Sequence, residues 1–287
     1  MRILAMGDFH GKFQKKWERL IKKEKIGLVV SVGDFKPFSM KKLFFEKIYK
    51  KNQDKELWDF IGRKKFKELH LKDMRAAESV LRKMQRLEVP VFTVFGNNDW
   101  SKWPEAIDEQ FFVKEGKKRW KWPYQDFFTP LVKKYSNIHD INYSYKRLGD
   151  YVLIGGGPSS FPGRVKSKNY KKLKSKLDKL FREFSKQNRK GKVIFISHNV
   201  PYNTKLDLIT DKKSHKKARG KHYGSKLVRR IIEKYQPALH IGGHIHERQG
   251  KSKLGKTLCI NTGGAHDGEA AIIKIEDNGK IGVRFIK

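Results

Sequence analysis

The side chains in this chain best equipped for chemistry are carboxylates, imidazoles and amides set beside glycine or serine at short intervals. They are Asp8 and His10 in GDFHG, Asp34 in GDF, Asn97 in GNND, His198 in SHNVP, and His244 and His246 in GGHIH. One such histidine alone more often serves structure than ligation. Together the set mixes carboxylate, imidazole and amide oxygen, which suits divalent Mn, Fe, Zn or Co better than Ca or Mg. Its size is enough for two cations. The single cysteine, Cys259, excludes an intramolecular disulfide and a cysteine-rich zinc site. Its place in TLCIN predicts a small buried side chain.

These residues stand where short apolar runs end. ILAM precedes Gly7-Asp8, LVVSV precedes Gly33-Asp34, VFTVF precedes Gly96-Asn97, VIFI precedes Ser197-His198 and ALHI precedes Gly242-Gly243-His244. Runs of this length bounded by polar loops predict buried strands that deliver ligands at their carboxyl ends, with segments of helical period between them. The class is α/β. Further strands are expected at 151–154, 257–260, 270–275 and 281–286, those near the C-terminus antiparallel because they are close together in sequence. If GGHIH is extended, His244 and His246 point to one side and Ile245 to the core. One segment could then serve two cations. Asn261 in INTGG is either a hydrogen-bond partner for a ligand histidine or an ordinary turn residue.

Composition narrows the partners. Lys and Arg total 66 against 30 Asp and Glu in 287 residues, a formal net charge of +36. Such a field attracts polyanions, and acids lag too far behind for a balanced, ion-paired thermophile surface. The run KEGKKRWKWPYQDFF, 114–128, sets Lys117 and Arg119 beside Trp120 and Trp122. Rings beside cations suit unstacked bases, each stack being worth about 1–3 kcal/mol; they equally suit anchoring a loop. A further basic run, 212–224, carries His215 and His222. A single domain over 1–287 is expected, with a basic helical insertion at about 36–89 and a basic helix at about 164–190. In the latter, Tyr170, Leu173, Leu177, Leu180, Phe181 and Phe184 share one face. No apolar run is long enough to span a bilayer, and the opening RILAMGD reads as a strand, so a cytoplasmic chain without a membrane partner is expected.

The blocks, in this order, resemble the calcineurin-like metallophosphoesterases, whose pattern runs GDxH, GD, GNH[DE], a lone His and GHxH. The likeness spans Gly7 to His246. It implies a four-layer sandwich of two mixed β-sheets flanked by helices. It implies that Asp8, His10 and His246 hold one divalent metal, and Asn97, His198 and His244 a second, with Asp34 bridging. Manganese is the first choice, with Fe, Zn, Co or Ni as alternatives. The implied reaction is phosphoester hydrolysis by a hydroxide held between cations about 3.5–4 Å apart.

The chain departs from that pattern at Asn98, where the family commonly places the histidine that protonates the leaving oxygen, steadied by the next carboxylate, here Asp99. An amide cannot give up a proton, and general acid catalysis contributes about 10²- to 10⁴-fold. Three routes remain: Asn98 binds a phosphate oxygen while a better leaving group or water settles the proton; His215 or His222 supplies it; or turnover is poor. GDFKPF and GNND also differ from phosphoprotein phosphatases, which carry an Arg after the second block and a His in the third. The expected function is a dimetal phosphodiesterase acting on nucleic acid or nucleotides, with Lys117, Arg119, Trp120, Trp122 and His222 as substrate contacts. The alternatives are a nucleic-acid-binding protein with a structural or weakly active metal site, and a small-molecule phosphomonoesterase. Oligomeric state is open.

Overall fold

The computed structural model describes residues 1–49, 51–52, 55–99, 120–212, 214, 216 and 218–287. Among these residues, twelve strands form two six-stranded sheets. The first contains β1 (Arg2–Met6), β2 (Leu28–Ser31), β3 (Val91–Thr93), β4 (Ile138–Asp140), β11 (Ala270–Ile275) and β12 (Ile281–Ile286), in the order β12-β11-β1-β2-β3-β4. The second contains β5 (Tyr145–Leu148), β6 (Tyr151–Gly155), β7 (Val193–Asn199), β8 (Leu239–Gly243), β9 (Gly250–Leu254) and β10 (Thr257–Asn261), in the order β5-β6-β7-β8-β10-β9. Each is mixed. β1 to β4 are parallel, with β11 and β12 added antiparallel. β6, β7, β8 and β10 are parallel, with β5 and β9 antiparallel at the edges.

Strand alternation explains the layers. In β1, Ile3 and Ala5 face the second sheet, where they join Val30, Ile194, Ile241 and Ile260 in a core between the sheets. Leu4 and Met6 point the other way, into a core with Trp17, Ala77 and Val80 from the covering helices. In the second sheet Val193 and Phe195 likewise face Phe181 and Ile231. Strands covered on both faces must be apolar at every position, which is why these runs lack polar alternation. The result is an αββα sandwich, as the resemblance implies.

The 36–89 stretch divides into two parts. The helix Arg63–Gln85 crosses from β2 to its parallel neighbour β3 and buries Ala77, Val80, Leu81 and Met84 in the helix–sheet core. It is therefore one of the flanking helices of the sandwich. Short helical turns between Lys41 and Ile61 precede it, and Trp58 in the last of them packs against Phe66 of that helix at 5.2 Å. The helix Lys168–Glu183 buries Tyr170, Leu173, Leu177 and Phe181, as its periodicity predicts, and Ser167 caps it by accepting from Tyr170 N at 3.1 Å. β4, β5 and β9 are short or half-exposed edge strands, without the apolar runs that mark the others.

Candidate metal centre

Because the central strands of each sheet are parallel, their carboxyl ends share one edge, and the two edges meet. β1 and β2 deliver Asp8, His10 and Asp34, the loop after β3 delivers Asn97, and β7 and β8 deliver His198 and His244. Asp8, Asp34 and His198 are buried at the base, while His10, Asn97, His244 and His246 are partly open above them. Four of the seven sit in the left-handed region: Asp8 at φ 56°, His10 at 44°, Asp34 at 55° and His244 at 72°. Such conformations cost of order 1 kcal/mol or more each and persist only where surrounding contacts impose them.

Asp99 imposes much of this. One carboxylate oxygen accepts from Asp34 N at 2.7 Å and Gly96 N at 2.9 Å, and the other accepts from Lys36 N at 3.0 Å. It therefore clips the loop after β2 to the loop after β3. The carboxylate is 1% exposed, and these three bonds all come from backbone N–H groups. Burial raises its pKa to about 6, against the pull of those N–H donors.

The donor atoms converge in two groups. On one side His246 Nε2 lies 3.0 Å from Asp8 Oδ1 and 3.3 Å from His10 Nε2. On the other, His198 Nε2 lies 2.8 Å from Asn97 Oδ1 and 3.2 Å from His244 Nδ1. Asp34 lies between them: its oxygen is 3.8 Å from His198 Nε2, and ligand atoms of Asp8, Asp34 and His198 fall within 4.8 Å of one another. The tautomers follow from the outer contacts. His198 Nδ1 donates to Val32 O at 2.8 Å, and His244 Nε2 donates to Ser160 O at 3.1 Å. The facing nitrogens therefore carry lone pairs, because burial holds His198 below its ordinary pKa and lowers His244 to about 3, leaving both rings neutral. Two acceptor atoms, Asn97 Oδ1 and His244 Nδ1, then face the lone pair of His198 Nε2 at 2.8 and 3.2 Å. That is repulsive unless a cation stands between them. With bonds of about 2.0–2.2 Å, ligands set about 90–110° apart around a metal lie about 2.8–3.6 Å from one another, so the spacing fits a divalent ion.

The carboxylates are tuned apart. Burial pushes Asp8 upward, but the imidazoles of His246, His198 and His10 outweigh it and hold the group well below the usual range. Asp34 is raised, first by burial and then by the Asp99 and Asp8 carboxylates. Burial lowers His10 to about 3. Lys41 stands close enough for its charge to oppose protonation of both His10 and His246.

At the departure from the pattern, Asn98 N donates to Asp34 Oδ1 at 2.8 Å. Its side-chain oxygen accepts from Asn97 Nδ2 at 3.0 Å, and its amide nitrogen lies 3.3 Å from His10 Nδ1. Asn98 thus touches residues of both groups and remains partly exposed. GGHIH serves both groups, but not by strand alternation. β8 ends at Gly243, His244 turns through positive φ and His246 opens a 3-10 turn, while Ile245 is buried. Gly243 is required there because a Cβ would come within 2.6 Å of Asp8 Oδ2. Asn261 contacts neither histidine ring. It holds the bend by donating to Ile245 O at 2.9 Å and accepting from Gly263 N at 3.0 Å.

His266, in GGAHDG after β10, belongs to no block of the pattern, yet its ring centroid lies 4.9 Å from that of His10 and 5.0 Å from that of His246. The only signal for it is the one the other ligand loops share, a glycine-flanked histidine after a strand end. The expected substrate contacts fare differently. Lys117, Arg119 and His215 lie outside the described residues. Trp120 and Trp122 stack on each other at 5.5 Å and pack against Phe66 of the Arg63–Gln85 helix, with Lys67 over both rings. These rings anchor the chain to that helix. His222 Nδ1 contacts Asp207 Oδ1 at 2.7 Å and its ring packs near Tyr202; among the described residues, neither contact involves a residue of the centre. Cys259 is buried, and burial pushes its thiol up to about 12.

The family model for calcineurin-like phosphoesterases matches residues 1–248, and the chain belongs to that family. The family implies a dinuclear divalent metal centre, and the clusters above supply a candidate for it. One solved structure aligns over 100% of this chain and 99% of its own, with a TM-score of 0.67 and 18% identity. A dimetal phosphatase from Danio rerio aligns over 100% of this chain and 96% of its own, with a TM-score of 0.55 and 10% identity. An uncharacterised protein of Methanocaldococcus jannaschii is 35% identical over 71 residues, 24% of this chain and 30% of that protein. Among the described residues, no helix is long and apolar enough to cross a membrane.

Proposed function

We propose that this protein is a dimetal phosphodiesterase acting on nucleic acid or nucleotides. In this reading Asp8, His10 and His246 hold one cation and Asn97, His198 and His244 the other, with Asp34 shared. The observation that carries it is the convergence of lone pairs from Asn97, His198 and His244 at 2.8–3.2 Å, beside the matching Asp8–His10–His246 group. When bound, two such cations acidify water and neutralise phosphate oxygens.

The protein's own part is arrangement. Asp99 fixes the backbone beneath Asp34 and Asn97, and the bonds to Val32 O and Ser160 O aim His198 and His244. Lys41 and the +36 net charge draw in a phosphate-rich substrate. Asn98 can hydrogen-bond a phosphate oxygen but transfers no proton, which favours diesters whose leaving group needs little help. The test uses purified protein, stripped by chelator and reloaded with Mn. Substrates are a nitrophenyl phosphodiester, the matching monoester and a labelled single-stranded oligonucleotide. Turnover of the diester or oligonucleotide that Asp34→Asn and His244→Ala abolish is expected. Preference for the monoester, or hydrolysis unchanged in both variants, would overturn the proposal.

A further inference from the structure

His266 lies outside the seven residues placed above, yet the fold builds it into the same centre. The 264–268 turn is stitched to the loop after β1: Ala265 N donates to Gly7 O at 2.8 Å, Gln14 Nε2 donates to His266 O at 3.1 Å and Lys16 Nζ donates to Gly268 O at 2.7 Å. Gly263 and Gly268 take positive φ on either side of it. The ring is thus carried on a braced turn and its side chain is 18% exposed. A ring nitrogen from each of His10, His246 and His266 lies within 4.8 Å of the other two. His266 Nδ1 is 2.7 Å from Asp8 O, an atom that can only accept, so Nδ1 carries the proton and Nε2 the lone pair. A backbone carbonyl on the far nitrogen is the outer contact that ligating histidines commonly make, and His198 makes the same contact with Val32 O. Among the described residues, the partner of Nε2 is the carboxylate of Asp267 at 3.2 Å, whose side chain is 70% exposed and free to swing into solvent.

We propose that His266 is an additional ligand, through Nε2, of the cation held by Asp8, His10 and His246. This rests on the ligand assignment proposed above. It makes that site richer in imidazole than its neighbour, which carries an amide oxygen from Asn97. Imidazole suits zinc, iron and nickel, whereas manganese prefers oxygen, so the two positions differ in the metal they select.

The experiment is titration of the metal-free full chain with cobalt(II), followed by absorption and by the hyperfine-shifted imidazole N–H signals in the proton NMR spectrum. His266→Asn is the informative variant, because its Nδ2 can keep the donor to Asp8 O while Nε2 is lost; His266→Ala removes both. In the wild type two equivalents bind. In His266→Asn the expected result is one shifted imidazole signal fewer and affinity at one site lowered about 10- to 100-fold, as in His266→Ala. Zinc should also lose ground to manganese at that site in a competition read by elemental analysis. A His266→Asn protein with wild-type affinity and signal count overturns the proposal and leaves the ligand assignment standing. Weaker binding with an unchanged signal count also overturns it, assigning His266 to bracing Asp8. Failure of the wild type to bind two equivalents would overturn the ligand assignment itself. Thermal melts of the metal-free variants confirm that each compared protein is folded.

Discussion

Gly96→Ala tests whether the centre depends on the clip between the loops after β2 and β3. A Cβ at Gly96 would lie 2.7 Å from Asp34 Cγ, and nearer still to Asp34 Oδ1 and Asp34 N, inside the 3.0 Å that Cβ contacts respect. The neighbours cannot give way cheaply. Asp34 N is held by Asp99 Oδ2 at 2.7 Å, and Asp34 Oδ1 is held by Asn98 N at 2.8 Å. Relieving the overlap means breaking both bonds, and each hydrogen bond to a charged group contributes about 1.5–3 kcal/mol. The expected loss is about 3–6 kcal/mol of stability, with Asp34 displaced from its place between the two groups. Gly149→Ala is the control. Gly149 has φ +55° and nothing within 4 Å of an added Cβ, so only the backbone term of about 1 kcal/mol applies. Urea unfolding of the metal-free proteins measures stability, and elemental analysis after reloading measures metals per chain. A Gly96→Ala protein as stable as Gly149→Ala, still holding two metals, would refute the reasoning.

Two further expectations concern groups on either side of the centre. His240 is fully buried, Nε2 lies 2.8 Å from Ser197 Oγ, and burial lowers its pKa to about 3. The unfolded chain, with a pKa near 6.5, then binds a proton that the folded chain refuses. Stability from this group is therefore complete above about pH 6.5 and is lost on acidification at up to about 1.4 kcal/mol per pH unit until about pH 3. The stability of the wild type minus that of His240→Leu, from urea unfolding at pH 7.5, 6.0 and 5.0, should fall accordingly; parallel profiles would show that His240 protonates freely. Asn98→His restores an ionisable group beside Asp34 and His10. It should raise the rate on an alkyl phosphodiester by up to about 10²-fold and much less on a nitrophenyl diester, whose leaving group needs no proton. Equal effects on the two substrates would assign Asn98 to phosphate binding alone.

Much of the architecture was legible because strands covered on both faces must be apolar throughout, and each such run ends where polar ligand loops begin. Ala270–Ile275 and Ile281–Ile286 match the expected strands residue for residue. The spacing of GDFHG, GDF, GNND, SHNVP and GGHIH pointed to the family on its own. Edge strands such as Gly250–Leu254 escaped because half-exposed pairing leaves little hydrophobic trace.

What the sequence alone determined is the kind of donor and the strand end that carries it. Which donors meet was decided by the tertiary structure, since that depends on two sheet edges converging over distances no local pattern encodes. Asp99 has the composition of a ligand loop, yet three backbone N–H groups claim it. Trp120 and Trp122 lie in a run that suits nucleic acid, but their rings pack against each other and Phe66, because burying aromatic surface is favourable wherever a partner is near. His266 lies outside every block of the pattern, and the turn after β10 brings it to Asp8, His10 and His246, 20 residues or more away in the chain.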